Sequence, residues 1–189
     1  GIRDRSVSRG LGYVYKRQVL SIVDPELMAT VPHKFTAYQG FDTLFHATEV
    51  YMGKMANLMS DMVSLAAMEN VGNYLTRAVA DGSDMEAREH MAFANTMSGY
   101  AMVTGCCTSE HSLEHAMSAY HPDLPHGAGL IMISLAYYQH FVDAGCCPER
   151  FVRMAKALGK ADAAVPQDFI TALAQLQKAC GVDQLKMSD

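Results

Sequence analysis

The sequence predicts an all-α, bundle-like domain preceded by a remnant strand. Apolar residues recur at three-to-four spacing over most of the chain. Helix start and stop signals punctuate that pattern, and only one short β-like run, residues 19–24, stands apart from it. The 189 residues suit one domain, and with 50% of them hydrophobic a core can form. Charged residues make up 19%, the formal net charge is −5 and the pI is near 5.9. That balance argues against nucleic-acid and anionic-membrane partners, which select a basic face. The densest apolar stretch, residues 127–138, is shorter than the roughly 18 residues of a membrane span.

Residues 1–18 are rich in Arg and Lys and lack apolar periodicity. The stretch SRGLGYVYKRQ, residues 8–18, resembles the translation of a transposase adapter used in sequencing libraries, with Tyr13 where the adapter gives Asp. Residues 1–18 are therefore expected to be a disordered artefact and are set aside. Residues 19–32 read as a remnant strand, stopped at Asp24-Pro25, and an interdomain linker. Residues 33–189 read as the helical domain.

The first helix follows Thr30-Val31-Pro32 and carries Phe35, Leu44, Phe45, Ala47, Val50, Tyr51 and Met55. A second spans about residues 60–80 and stops at Asp81-Gly82. The third opens at Ser83, with Glu86 three residues on as a capping box, and runs to Gly105. A His-rich helix over about 108–120, a loop at 121–125, an apolar helix over about 127–140, and helices at 148–158 and 166–180 complete the pattern. The fourteen methionines read as flexible core filling. The cysteines form two adjacent pairs, Cys106-Cys107 and Cys146-Cys147, plus Cys180, which is not the spacing of a disulfide framework. Without a signal peptide, a reduced, cytoplasmic compartment is expected.

Asp42 and His46 lie four apart on the first helix and share a face; His111 and His115 repeat that spacing, and His126 follows a proline loop at the mouth of the next helix. Imidazoles and a carboxylate suit a divalent first-row metal, although each pair alone is more often a solvated helix pair. Glu49 is placed to accept the second ring N–H of a ligand histidine or simply to face solvent. His33, His90, His121 and His140 have no partner at useful spacing, and Cys106 and Cys107 read as helix-end packing.

The segment Gly40-Phe41-Asp42-Thr43-Leu44-Phe45-His46-Ala47-Thr48-Glu49-Val50-Tyr51 resembles the G-x-D-x-x-x-H-A-x-E-x-Y segment of the iron-containing, or group III, alcohol dehydrogenases. His111-Ser112-Leu113-Glu114-His115-Ala116-Met117 with Pro125-His126-Gly127 resembles the second signature of that family, and residues 24–32 its crossing between domains. The resemblance covers about residues 19–189. It implies the C-terminal helical metal-binding domain of a dehydroquinate synthase-like architecture, with the N-terminal nucleotide-binding domain missing and both ends truncated. Carried over residue by residue, the metal ligands would be Asp42, His46, His111 and His126. His115 would lie beside nicotinamide and substrate, as catalytic and cofactor-binding residue. The implied cofactors are a divalent metal, Fe²⁺ before Zn²⁺, and NAD(P) in the intact enzyme. The implied reaction interconverts small primary alcohols and aldehydes, in a protein that self-associates when intact; the fragment alone is expected to be inactive. His111 and His126 are fifteen steps apart where many members have fourteen, the extra residue falling in the loop at 120–124. Two alternatives stand beside this reading: a related metal enzyme, such as a glycerol dehydrogenase or a dehydroquinate-synthase-like cyclase, and a non-catalytic metal-binding domain.

Overall fold

A computed structural model describes residues 20–186. Seven α-helices follow a 3-10 turn at Pro25–Met28: α1 (His33–Met52), α2 (Leu58–Ala80), α3 (Met85–Thr104), α4 (Glu110–Tyr120), α5 (His126–Asp143), α6 (Pro148–Ala157) and α7 (Gln167–Ala179). The expected remnant strand is not formed among the described residues, and Val19 and the segment at 1–18 lie outside them. A strand needs a neighbour to satisfy its backbone groups. Here the run ends where Asp24 caps the 3-10 turn through Glu26 N–H at 3.0 Å.

Local chemistry sets the helix boundaries. Asn57 and Ser60 form a capping box at the start of α2, a signal the sequence reading passed over. At α3 the cap is Asp84, which accepts from Ala87 N–H, whereas Ser83 bonds back to Asp81 and Glu86 pairs with Arg77. The predicted Ser83–Glu86 box does not form; a single Asp84 cap one residue later satisfies the Ala87 N–H instead. The α4 helix begins at Glu110, two residues later than expected, and α1 ends at Met52.

Helix α1 is the central element. It packs against α2, α3 and α5, while α2 pairs with α3, α4 with α5, and α6 with α7. Its apolar side and the last three helices share an aromatic core: Phe41, Phe45, Tyr138, Phe151 and Phe169 are fully buried. The Tyr138 and Phe169 rings meet edge to face at 5.2 Å and 81°. The methionines divide: Met68 and Met154 fill this core, but Met55, Met59 and Met62 are exposed.

Arg88 of α3 is the largest fully buried side chain. It donates to Gly82 O at 3.0 Å, Thr36 Oγ1 at 2.8 Å and Val31 O at 3.2 Å, which ties the entry of α1 to the α2–α3 turn. These contacts fix α1, and α1 carries the first half of the site.

Candidate metal centre

One turn apart on α1, Asp42, His46 and Glu49 point toward the start of α4 and α5. The α4 helix brings His111, Glu114 and His115, and His126 is the first residue of α5. Asp42 Oδ1 lies 3.1 Å from His111 Nε2 and 3.4 Å from His126 Nε2. Donor atoms of Asp42, His111 and His126 all fall within 4.8 Å of one another. His46 borders this cluster, with its ring 3.9 Å from that of His111 and its Nδ1 2.9 Å from the Asp42 carbonyl oxygen. His115 is exposed at the rim, its ring centroid 5.3 Å from that of His126.

What orients the rings is a set of acceptors behind them. His111 Nδ1 bonds the Glu49 carboxylate, and His126 Nδ1 bonds the Glu114 carboxylate. His111 and His126 thus have Nδ1 engaged and Nε2 turned to Asp42, whereas His46 presents Nδ1 both to the Asp42 carbonyl and, at 3.4 Å, to its carboxylate. Both glutamates are fully buried. Glu49 also accepts from Thr108 Oγ1 at 2.7 Å, Glu110 N–H at 2.8 Å and His111 N–H at 3.3 Å, so it closes the N-terminus of α4, whose own cap residue Ser109 makes no side-chain cap bond. The expected partner role of Glu49 is therefore present, toward a histidine 62 residues away. The role of Glu114 went unread in the sequence. The available signal was an acidic residue three positions after His111, on an otherwise histidine-bearing face.

Two glycines give α5 its position. A Cβ on Gly127 would lie 2.4 Å from the Tyr38 carbonyl oxygen, and one on Gly129 2.8 Å from Glu114 Cγ. The first lets α5 start directly against the α1 backbone, and the second leaves room for the carboxylate that holds His126.

Burial and neighbours set the charges. Burial works against the ionised forms of Asp42 and Glu49, but the His111 hydrogen bond and nearby imidazoles outweigh it and hold both carboxyls below their usual range. His111 is pulled the other way: burial lowers it, yet the hydrogen bonds to Asp42 and Glu49 carry it to about 9. His46 is lowered, chiefly by burial, which favours the neutral, ligating ring. Behind the site, Glu110 is fully buried and pushed well above its ordinary value by burial; it accepts from Tyr138 Oη at 2.5 Å. Its Oε1 has no partner among the described residues. Burial pushes the Cys107 thiol up to about 12, which is unsuited to a nucleophile.

Of the other histidines, His90 bonds Asn70 Oδ1 at 2.6 Å and stacks on Tyr74 at 3.7 Å, His33 bonds the Val79 carbonyl, and His121 and His140 lie outside the cluster. None of these four joins the cluster of Asp42, His111 and His126. The donor set, a carboxylate with ring nitrogens, fits a borderline divalent cation.

Residues 36–186 match the C-terminal part of the Fe-containing alcohol dehydrogenase family. The chain belongs to this family. It is 33% identical over 177 residues to an NAD-dependent methanol dehydrogenase of Bacillus methanolicus, covering 86% of this chain and 43% of that protein. It is 34% identical over 143 residues to a 1,3-propanediol dehydrogenase of Klebsiella pneumoniae, covering 75% of this chain and 36% of the relative. In structure it is similar to an archaeal halo-thermophilic alcohol dehydrogenase from a Red Sea brine pool, with TM-score 0.82 and 32% identity, covering 88% of this chain and 43% of that one. The chain thus spans less than half the length of the relatives that it matches. No described helix is long and apolar enough to cross a membrane.

Proposed function

We propose that this chain is the metal-holding helical part of an NAD(P)-dependent alcohol dehydrogenase, working with a nucleotide-binding domain on small primary alcohols and aldehydes. The observation that carries the reading is the pair of imidazoles, His111 and His126, each anchored at Nδ1 by a buried glutamate and turned with Nε2 to the Asp42 carboxylate, with the His46 ring beside them. In this reading Asp42, His46, His111 and His126 hold a divalent ion, Fe²⁺ first and Zn²⁺ second. That ion supplies Lewis-acid polarisation of the substrate oxygen, while NAD(P) supplies the hydride acceptor.

The chain's own residues do the positioning. Glu49 and Glu114 fix the rings of His111 and His126, and the buried face of α1 keeps water away from one side of the cluster. His115, exposed beside His126, exchanges the hydroxyl proton with solvent and borders the nicotinamide. The proposal extends to a cytoplasmic protein that self-associates when intact.

Elemental analysis of the chain purified without chelator, beside Asp42→Ala/His126→Ala, tests the centre. About one equivalent of Fe or Zn, lost in the double variant, is expected. The same chain joined to a nucleotide-binding domain should then reduce NAD(P) with an alcohol. Metal binding without that activity would favour a non-catalytic metal-binding domain, and metal retained by the double variant would overturn the ligand assignment.

A further inference from the structure

Cys107 Sγ lies within 4.8 Å of donor atoms of Glu49 and His111, but the other cysteines of the two vicinal pairs stand apart from the site described above, and both pairs open onto one pocket. Cys106-Cys107 lie in the α3–α4 junction and Cys146-Cys147 in the α5–α6 junction, and all four line one largely apolar pocket of about 540 Å³. Met52 and Met55, at the end of α1 and just beyond it, complete a wall of six sulfur-bearing side chains. All four cysteines are free; Cys106 and Cys146 are exposed, and Cys107 and Cys147 half-buried.

The loops are held in place. A Cβ on Gly53 would lie 3.0 Å from the Cys106 carbonyl oxygen, so α1 and the α3–α4 junction touch through backbone there. Tyr137 Oη of α5 takes Ser109 N–H at 3.1 Å and lies 2.8 Å from Thr108 Oγ1, which fastens the same junction to α5. On the opposite side, Cys147 adopts a left-handed conformation, φ 36°, a costly choice for a residue with a Cβ, and its carbonyl receives Arg150 N–H at 2.9 Å.

We propose that this pocket binds a soft, closed-shell metal ion of the Cu(I) kind, ligated by at least one thiol from each junction. Thiolate and thioether donors select such ions over the harder divalent cations that carboxylate and imidazole take, so the pocket and the histidine cluster differ in ligand preference. A low-coordinate ion suits the arrangement, because no three cysteine sulfurs among the described residues lie within 4.8 Å of one another. Each ligating thiol gives up its proton on binding.

The test uses the full chain, preloaded with Zn(II) and kept reduced and anaerobic, titrated against the coloured Cu(I)–bicinchoninate complex. Withdrawal of about one equivalent of Cu(I) is expected, with cysteines of both junctions protected from iodoacetamide and Cys180 unchanged by the ion. Cys106→Ser/Cys107→Ser and Cys146→Ser/Cys147→Ser should each weaken withdrawal at least about tenfold, and Asp42→Ala/His126→Ala should leave it intact. No withdrawal, protection confined to one junction, or loss with the Asp42 variant alone would overturn the proposal. Protection is read on the unaltered chain, so it decides even where a serine variant does not fold.

Discussion

The two sides of α4 treat buried acid in opposite ways. On the side facing the histidines, Glu49 meets two backbone N–H groups, the Thr108 hydroxyl and the His111 ring, and is held below the usual carboxylate range. On the side facing the core, Glu110 meets one hydroxyl, has an oxygen without a partner among the described residues and is pushed well up. Both are fully buried, and Glu110 N–H even donates to Glu49. Burial alone therefore does not decide charge; the number and kind of donors does.

The widest separation should come from removing the carboxylates. Glu49→Ala strands a ring N–H and the start of α4, and should lower stability by about 3–5 kcal/mol in urea unfolding. Glu110→Gln, isosteric with a neutral acid, should stay within about 1 kcal/mol. Equal losses would dissolve the distinction. Next in size, Glu49→Gln and Glu114→Gln should each weaken Zn(II) binding about 10–100-fold by competition with a chromogenic chelator, with Glu110→Gln near the unaltered value.

The pH dependence of the metal-free chain sharpens the contrast further. His111 is raised to about 9 from 6.5, so its contribution is complete below 6.5 and is lost as pH rises through 9. Glu110, raised from 4.5, likewise costs stability as pH climbs above 4.5. Asp42 and Glu49 are lowered, so their share is present above the ordinary carboxylate values of 3.8 and 4.5 and disappears as pH falls. Thermal unfolding of the metal-free chain should show a loss between pH 6 and 9.5 of up to about 1.4 kcal/mol per pH unit for each proton, with a shallower slope in Glu110→Gln. An unchanged slope in that variant would mean that Glu110 is ionised. The smallest effect should be that of His115→Ala, which leaves metal content unaltered, because this exposed residue at the rim is not one of the four read as metal ligands.

Much of this was legible in the sequence because helices turn spacing into geometry. Asp42 and His46, four apart, do share a face of α1, and the proline before His126 does set that residue at the start of α5. The all-helical fold followed from periodicity in the same way. What spacing could not convey was partnership across the chain. That Glu49 serves His111 rather than His46, that Glu114 reaches His126, and that His90 finds Asn70 and Tyr74 all depend on how helices dock. The strand expected before Asp24 failed for a related reason: its apolar pattern is local, but a strand exists only with a neighbour. Nor does spacing distinguish two cysteine pairs that pack helix ends from two pairs that line one pocket.

Gly127 and Gly129 act together as a mechanical stop. With the α1 backbone against one and the Glu114 side chain against the other, α5 can neither sink closer nor slide along its axis without collision. The gap between Asp42 and His126 is thereby set like the jaws of a caliper, by where two helices come to rest rather than by the reach of a flexible side chain.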